Sequence, residues 1–470
     1  MKNNTYKKIL LVNPPSESKT PVLPLGLASI AAYLKSKNKE INLSVIDAWA
    51  ENLNLSGLEK RIAETQADII GVYMPSPRYG ETKTTIETCR KALPGATIIA
   101  GGPHASAAPI ETLNDIPQLD ICAIGEGETI MDELIRGCPL SNINGIAYRD
   151  GKEIKSTPPR AFIKNLDELP FPARDLFPLD KYIPPAPLGR KSPCFIMVTS
   201  RGCPFQCSFC SKEVFKDTYR SQSPKRVCDE IEELILKYRA REIPFLEDNF
   251  TLDTKRAEEI CDEILRRRLK FSWSCQARVT SINEAILKKM KKAGCWHISF
   301  GVESGSQKIL DLIDKGITVE KITSAFKIAK KAGLMTSCSF IFGLPGETKE
   351  TIKETVDLAK KLKPDFIGWG ILTVYPGSRL FKSIKSGKYR GKLRVLKETQ
   401  NIPGTFFRGD RLAFEQNFTF EELREISWKT IKEFYLRPQF IIQSLRNIRS
   451  FSDLNYLVRG GIKVIKSLTE

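Results

Sequence analysis

Two successive series of short apolar runs, each run followed by a helical pattern, constrain the fold of this 470-residue chain more than any other feature. In the first series, strands are predicted over 8–13, 42–47, 68–74, 96–101 and 120–124, with amphipathic segments near 25–37, 56–66, 83–93 and 128–137. Parallel neighbours need a crossover long enough for a helix, so this alternation predicts a parallel sheet covered on both faces. The second series starts near Pro193, with strands predicted over 194–199, 243–247, 271–278, 297–303, 335–342 and 366–375 and helices over 224–237, 253–268 and 348–361. Six such units are too few to close an eight-fold barrel and predict an open one. Between the series, 144–149 and 153–156 flank Asp150 and Gly151, a hairpin signal, and a proline-rich stretch from Leu169 to Pro187 reads as a linker. The expected class is α/β: a doubly wound domain (1–140), a hairpin and linker (141–192), a partial (β/α)6 barrel (193–380) and a helical C-terminal region (381–470).

In both architectures ligands gather where parallel strands end. In the first unit those loops carry small residues and prolines: Pro14, Ser76, Gly101, Gly102, Pro103, His104, Gly125, Glu126 and Glu128. In the second they carry Asp248, Gln276, Arg278, Glu303, Ser304 and the turn 343–347. Ser274, Gln276 and Arg278 share one face of their strand by the period of two.

Three cysteines, Cys203, Cys207 and Cys210, stand on one short loop at spacings of four and three. An iron–sulfur cube takes four thiolates, so three suggest a cluster with one iron open. Zinc sites prefer paired C-x-x-C motifs or histidines. Here the two histidines, His104 and His297, lie far from the loop in sequence, and neither Cys194 nor Cys228 makes a second pair. A zinc or structural thiol cluster stays as the alternative on spacing alone. Twelve scattered cysteines and no signal-peptide pattern argue against a disulfide framework and for a cytoplasmic setting. No apolar run approaches the roughly 20 residues of a membrane span. The net charge of +18 admits an acidic, nucleic-acid or membrane-surface partner without choosing among them.

The cysteine loop, with Phe209 before its last cysteine, resembles that of radical S-adenosylmethionine (SAM) enzymes. The likeness continues in order through 245–250, 301–305, 342–347 and 375–378. It implies that Cys203, Cys207 and Cys210 hold a 4Fe–4S cluster whose open iron chelates SAM. It further implies that Phe209 lies against adenine, that Asp248, Gln276, Arg278, Glu303 and Ser304 meet the methionine and ribose groups, and that Gly343, Leu344 and Gly346 bring backbone close to adenine. Glu247 stands where two successive aspartates are common in that family.

The front unit resembles the cobalamin-binding subgroup of the same superfamily through 13–15, 24–28, 101–104, 125–128 and 166–172. The implied cobalamin contacts are Pro14, Leu25, Gly26, Ser76, Arg78, Tyr79, Gly101, Gly102, Pro103, His104, Gly125, Glu126 and Glu128. The family's Asp-x-His-x-x-Gly is absent after the first strand, so cobalamin is expected without a protein histidine on cobalt, with Arg78 or Tyr79 near its lower face. The resemblance implies a cobalamin-dependent radical methyltransferase acting on an unactivated carbon, with a ring-forming enzyme like the anaerobic porphyrin-ester cyclases as the rival. It also implies a small-molecule substrate and an external electron donor of flavodoxin or ferredoxin type. An RNA substrate is not expected, because no second three-cysteine cluster or appended RNA-binding barrel is evident. Basic and apolar residues interleave from Trp428 to Lys466, a pattern that fits either peripheral membrane contact with a lipid or isoprenoid substrate, or helices packed on the barrel with their lysines in solvent. No general base is identifiable.

Overall fold

The computed structural model describes residues 6–18, 20–182, 189–396 and 411–446. Its first sheet comprises β1 (Lys8–Asn13), β2 (Asn42–Asp47), β3 (Ile69–Tyr73), β4 (Thr97–Gly101), β5 (Ile121–Ala123), β6 (Ile146–Asp150) and β7 (Glu153–Ser156). The strand order is β2-β1-β3-β4-β5-β6-β7, parallel through β5 and antiparallel thereafter. The hairpin that the sequence reading placed with the linker therefore extends this sheet: Ala147 pairs with Cys122 and both are buried. It covers the edge that β5 would otherwise present to solvent.

Along β1, Ile9 and Leu11 enter the core shared with helices Leu25–Lys37 and Gly127–Ile135. Leu10 and Val12 enter the opposite core, with helices Leu55–Thr65 and Tyr79–Ala92. Burial on both faces is why parallel strands read as continuous apolar runs. The order reverses between β1 and β3, and this places a crevice beyond their carboxyl ends.

A short antiparallel pair, β8 (Ser200–Arg201) and β9 (Arg220–Ser221), closes the base of the cysteine loop. The second sheet runs in sequence order and wholly parallel through β10 (Glu242–Phe245), β11 (Ser272–Ala277), β12 (Cys295–Glu303), β13 (Met335–Phe342) and β14 (Phe366–Ile371). The segment expected as a strand over 194–199 does pair in parallel with β10, with Phe195 N donating to Glu242 O at 3.1 Å, Met197 N to Pro244 O at 3.0 Å and Leu246 N to Met197 O at 2.9 Å, and its ladder is broken where Pro244 has no N–H to donate. The open barrel thus has five full strands and a fragment of a sixth. Its core is strongly aromatic, with Phe245, Phe250, Trp273, Phe300, Phe340, Phe342 and Trp369 all fully buried.

Polar side chains fix the helix starts. Ser223, Asp253, Asn283, Thr318 and Thr348 each accept a hydrogen bond from a backbone N–H of the first turn, each cap worth about 1 kcal/mol. Helix Phe420–Tyr435 starts at a capping box on Thr419 and covers the last strand, where Tyr435 Oη donates to Ile367 O at 2.9 Å. The linker packs on both units. Ala173 N donates to Ala28 O at 3.0 Å, and the buried Arg174 pairs with Glu230 at 2.6 Å. Of the tail residues expected to face a membrane, Ile448, Arg449, Leu457, Arg459, Lys463 and Lys466 lie outside the described residues. No helix among the described residues is long and apolar enough to cross a membrane.

Candidate active site

The cysteine loop begins at Gly202 (φ +87°), where a Cβ would collide with the Thr218 carbonyl, so only glycine fits. Other units then pin the loop. Ser208 N donates to Ile313 O at 2.9 Å, Leu380 N to Ser208 O at 2.7 Å, and Ser211 Oγ to Pro376 O at 3.0 Å. Cys203 is half-buried, Cys207 buried and Cys210 exposed. Burial raises the Cys203 thiol above its ordinary value, and the charges of Asp248 and Cys207 push it the same way. The Cys210 thiol is raised by burial as well, so ionising these two calls for a cationic centre. Among the described residues no three Cys, His, Asp or Glu side chains converge as ligands of one ion. A cube seats each thiolate on a separate iron and spreads them.

The barrel strands bring several expected residues to this loop. Arg278, just past β11, is buried, with Nη1 3.8 Å from Cys207 Sγ and its guanidinium 3.9 Å from the Phe205 ring centroid. Asp248 and Gln276 are exposed at the same rim. Glu303 ends β12 at φ +68°, beside a shift in strand register. That conformation costs a non-glycine residue of order 1–3 kcal/mol, and it folds the carboxylate back over Gly301, whose Cβ would lie 2.5 Å from Glu303 Oε1. Lys315 Nζ donates to Glu303 Oε1 at 2.7 Å and stands 5.7 Å from the Phe209 ring centroid.

Sequence reasoning missed Lys315, which no periodicity marks, and gave Asn249 no role. Asn249 Oδ1 accepts from Arg278 N, Thr251 Oγ1 and Ser281 Oγ, while its buried Nδ2 has no partner among the described residues. Arg278 Nε and Ser208 Oγ are likewise buried and unpartnered. Leaving such groups unsatisfied costs about 1–3 kcal/mol each. A polar ligand lodged among them is the chemistry these donors fit.

Other expected residues are differently employed. Ser304 Oγ shares a hydrogen bond with Thr355 Oγ1 at 3.1 Å and accepts from Ser306 N, so it braces helix Lys349–Leu362. Gly343 and Gly346 have positive φ, but the space a Cβ would need is filled by Leu423 and Leu312. The backbone angles, φ +84° and +76°, are what favour glycine there, since the facing atoms are only the methyl ends of two leucines. Leu344 is buried in one apolar cluster with Phe209. Glu247 is buried and accepts from Thr199 Oγ1 at 2.7 Å and from Ser200 Oγ, which makes it an internal brace.

Burial lifts the Glu347 carboxyl to about 8, despite the opposing backbone donors Gly343 and Leu344. Above the unfolded value of 4.5 and below about 8, the native state keeps a proton that the unfolded chain has released. Stability then falls as pH rises through that window. Thermal melts between pH 5 and 8 should show the wild-type midpoint dropping by roughly a few degrees more than that of Glu347→Gln. Parallel profiles would refute the assignment.

At the crevice of the first sheet, Pro14 follows β1, and Ser76, Arg78 and Tyr79 follow β3. Arg78 is buried: Nη1 donates to Pro14 O at 3.0 Å, Nη2 to Asn13 Oδ1 at 3.1 Å, and the guanidinium lies 4.8 Å from the Trp49 ring centroid. It ties the two switch-point loops together and is not open to a ligand's face as expected. His104 Nδ1 shares a hydrogen bond with Ser76 Oγ at 3.3 Å, and its ring packs on Tyr79 with centroids 4.3 Å apart. Burial lowers His104 to about 4, so it is neutral at pH 7. Gly102 (φ +115°) is required because a Cβ would press on the Tyr73 ring at 2.9 Å. Gly101 and Pro103 flank it at the end of β4, Leu25 opens its helix, and Gly26 borders open space.

Glu126 and Glu128, expected at a cofactor, instead join the two units. Arg201 Nη1 donates to Glu126 Oε1 at 2.5 Å and Nη2 to Glu128 Oε1 at 2.6 Å. Arg220 Nη1 meets both Glu126 oxygens at 3.0 Å, and Ser29 Oγ donates to Glu128 at 2.8 Å. Burial alone would raise the Glu128 carboxyl, but Arg201 and Ser29 hold it below its ordinary value. Gly125 reaches the far side of the cysteine loop, where its Cβ position lies 3.6 Å from Val214 O. The carboxyl-end rims of the two sheets therefore touch, two residues before Cys203.

Comparison with known proteins agrees with both halves. The radical SAM superfamily model matches residues 197–359 and the B12 binding domain model residues 16–135. The chain is 35% identical over 469 residues to an uncharacterized methyltransferase of Pyrococcus horikoshii, covering 97% of this chain and 98% of the relative. It is 32% identical to an anaerobic magnesium-protoporphyrin IX monomethyl ester cyclase of Rubrivivax gelatinosus, covering 77% of this chain and 66% of the relative. The fold is shared with the radical SAM methyltransferase TsrM of Kitasatospora setae at a TM-score of 0.75 and 18% identity, over 92% of this chain and 90% of that one.

Proposed function

The chain belongs to the cobalamin-dependent branch of the radical SAM superfamily, and from that premise we propose that it methylates an unactivated carbon of a small-molecule substrate. The observation that carries this reading is the contact between the two rims through Arg201, Glu126 and Glu128, because radical formation and methyl delivery must reach the same substrate atom. When bound, the cluster supplies one electron to cleave SAM, and cobalamin carries the methyl group.

In this reading Cys203, Cys207 and Cys210 hold the cluster. Arg278 offsets negative charge at the Cys207 sulfur. Asp248, Gln276 and Glu303 offer oxygens to the amino and hydroxyl groups of SAM, while Lys315 fixes the orientation of the Glu303 carboxylate. Phe209 and Leu344 supply an apolar wall. Cobalamin would sit over the crevice bounded by Pro14, Leu25, Gly26, Ser76, Tyr79, His104, Gly101 and Gly125. The neutral His104, engaged by Ser76 and Tyr79, suits contact with the nucleotide tail better than cobalt ligation.

The test is anaerobic turnover of the reconstituted enzyme on metabolite extracts with SAM carrying a labelled methyl group. The proposal expects 5′-deoxyadenosine and S-adenosylhomocysteine in comparable amounts and label in a carbon-bound methyl of the product. The likeness to the cyclase favours a second reading. Deoxyadenosine without homocysteine, beside an unlabelled product, would establish it. A lipid-class substrate met at a membrane surface is supported by Leu436, Ile441 and Ile442, which are about half exposed at the C-terminal end of the described residues. Failure of the protein to float with anionic vesicles would remove that part.

A further inference from the structure

Between Arg379 and Arg394 the chain carries Arg379, Lys382, Lys385, Lys388, Arg390, Lys392 and Arg394 and no acidic residue. The first six are exposed. They lie on helix Arg379–Lys385, the turn after it, and β15 (Lys392–Leu396), which pairs with β16 (Arg411–Glu415). Arg394 is neutralised by Glu415 and Glu421, and Arg379 by Asp314. Lys382 has only a loose pairing with Glu213 at 3.8 Å. Lys385, Lys388, Arg390 and Lys392 have no ion pair among the described residues. Concentrating like charge on one ridge costs self-repulsion, so the ridge calls for a counter-charge from outside the fold.

The position of the ridge is as informative as its charge. The first turn of the helix is bonded to the cysteine loop, with Leu380 N donating to Ser208 O at 2.7 Å and the Arg379 guanidinium donating to Gln206 O. Leu380, Ile384, Phe381, Tyr389 and Leu393 pack in the same apolar cluster as Phe209. Pro204, Gln206 and Cys210 are exposed on the loop, and Gln206 is the one Arg379 reaches. The ridge is therefore joined by direct hydrogen bonds to the loop that carries the cysteines.

We propose that this ridge docks a small acidic one-electron carrier protein, which reduces the centre held by Cys203, Cys207 and Cys210. The inference rests on the cluster reading above and adds the surface that serves it. The step balances without a proton or bond change: the reduced carrier loses one electron and the cluster gains it. Small, charge-steered contacts suit such transient encounters, and Val395, 66% exposed on β15, offers an apolar contact beside the charges. Nucleic acid would answer the same charge, but single strands need open aromatic faces to stack on. Here Phe381 and Tyr389 are half-buried in the cluster, with Lys385 and Lys388 each 5.7 Å from the respective ring centroid.

The test compares the reconstituted wild type with Lys385→Glu/Lys388→Glu/Lys392→Glu, and with the corresponding triple glutamine variant, by the rate at which the cluster absorbance bleaches. Purified reduced flavodoxin is the carrier probe and dithionite the small-molecule control. At about 0.05 M salt the charge-reversed protein should be reduced by flavodoxin about tenfold or more slowly than wild type, with the glutamine variant between. Both should match wild type with dithionite. At about 0.5 M salt, where the screening length is a few ångströms, the difference should collapse. Equal flavodoxin rates at low salt would overturn the proposal, as would wild-type retention of a single-stranded RNA that the variant loses while its flavodoxin rate is unchanged. Absence of bleaching by dithionite in every protein would instead overturn the cluster reading, and the carrier with it.

Discussion

Replacing Cys203, Cys207 or Cys210 singly with alanine should leave a folded protein that retains no iron–sulfur absorbance and forms no 5′-deoxyadenosine. A cube held by three thiolates cannot exchange one for a methyl group, because no other thiol or imidazole lies beside the loop. The next cysteines in sequence are Cys194, which bridges to Glu242 at the opposite end of the barrel, and Cys228, buried in helix Pro224–Tyr238. The loop's path does not depend on the thiols. It is fixed by Gly202, by the backbone bonds of Ser208 to Ile313 and Leu380, and by Ser211 on Pro376. Thermal midpoints of the metal-free proteins should therefore agree, while iron and sulfide content fall to background in each variant. A variant that keeps its full cluster and still makes deoxyadenosine would remove that cysteine from the ligand set.

The second large effect belongs to Arg201. Its side chain is 16% exposed, and the Glu126 and Glu128 side chains it joins are 3% and 4% exposed. Removing one member of a buried ion pair strands the other charge and costs about 3–5 kcal/mol. In Arg201→Ala, Glu126 keeps Arg220 but Glu128 keeps only Ser29, so Glu128 is the residue left exposed to the penalty. Arg201→Lys should recover only part of the loss, since an ammonium lacks the planar fork that spans two carboxylates. Adding Glu128→Gln to Arg201→Ala should restore stability, because the stranded charge is then gone. Denaturant unfolding of the four proteins measures this. Unchanged stability of Arg201→Ala would show that the clamp is dispensable.

Much of the architecture was legible because it depends on local pattern. The apolar runs of β1 to β5 and β10 to β14 fell within a few residues of their predicted places, and the helices expected over 224–237, 253–268 and 348–361 formed at Pro224–Tyr238, Thr254–Arg266 and Lys349–Leu362. The cysteine spacing was legible for the same reason. Elements that departed from the pattern were those whose state depends on a distant neighbour. The stretch 194–199 pairs with β10 as expected but with a ladder that Pro244 interrupts, and 146–156 reads as an isolated hairpin until β5 offers it an open edge. Gly343 and Gly346 were expected to bring backbone close to a ligand, and what the fold adds is a positive φ at both, a conformation that no local sequence pattern announces.

The sequence by itself determined two wound α/β units and a three-thiol loop at the carboxyl rim of the second, because hydrophobic period and ligand spacing are written within a few residues. Only the tertiary structure decided how the rims meet. Glu126 and Glu128 stand beside cofactor-like glycines in the chain, but their partner Arg201 lies 75 and 73 residues away. Arg78 likewise turns from open crevice to buried brace through Asn13, 65 residues distant. A charged side chain goes where its desolvation is best compensated, and in a folded chain that place is set by packing between units rather than by its neighbours in sequence.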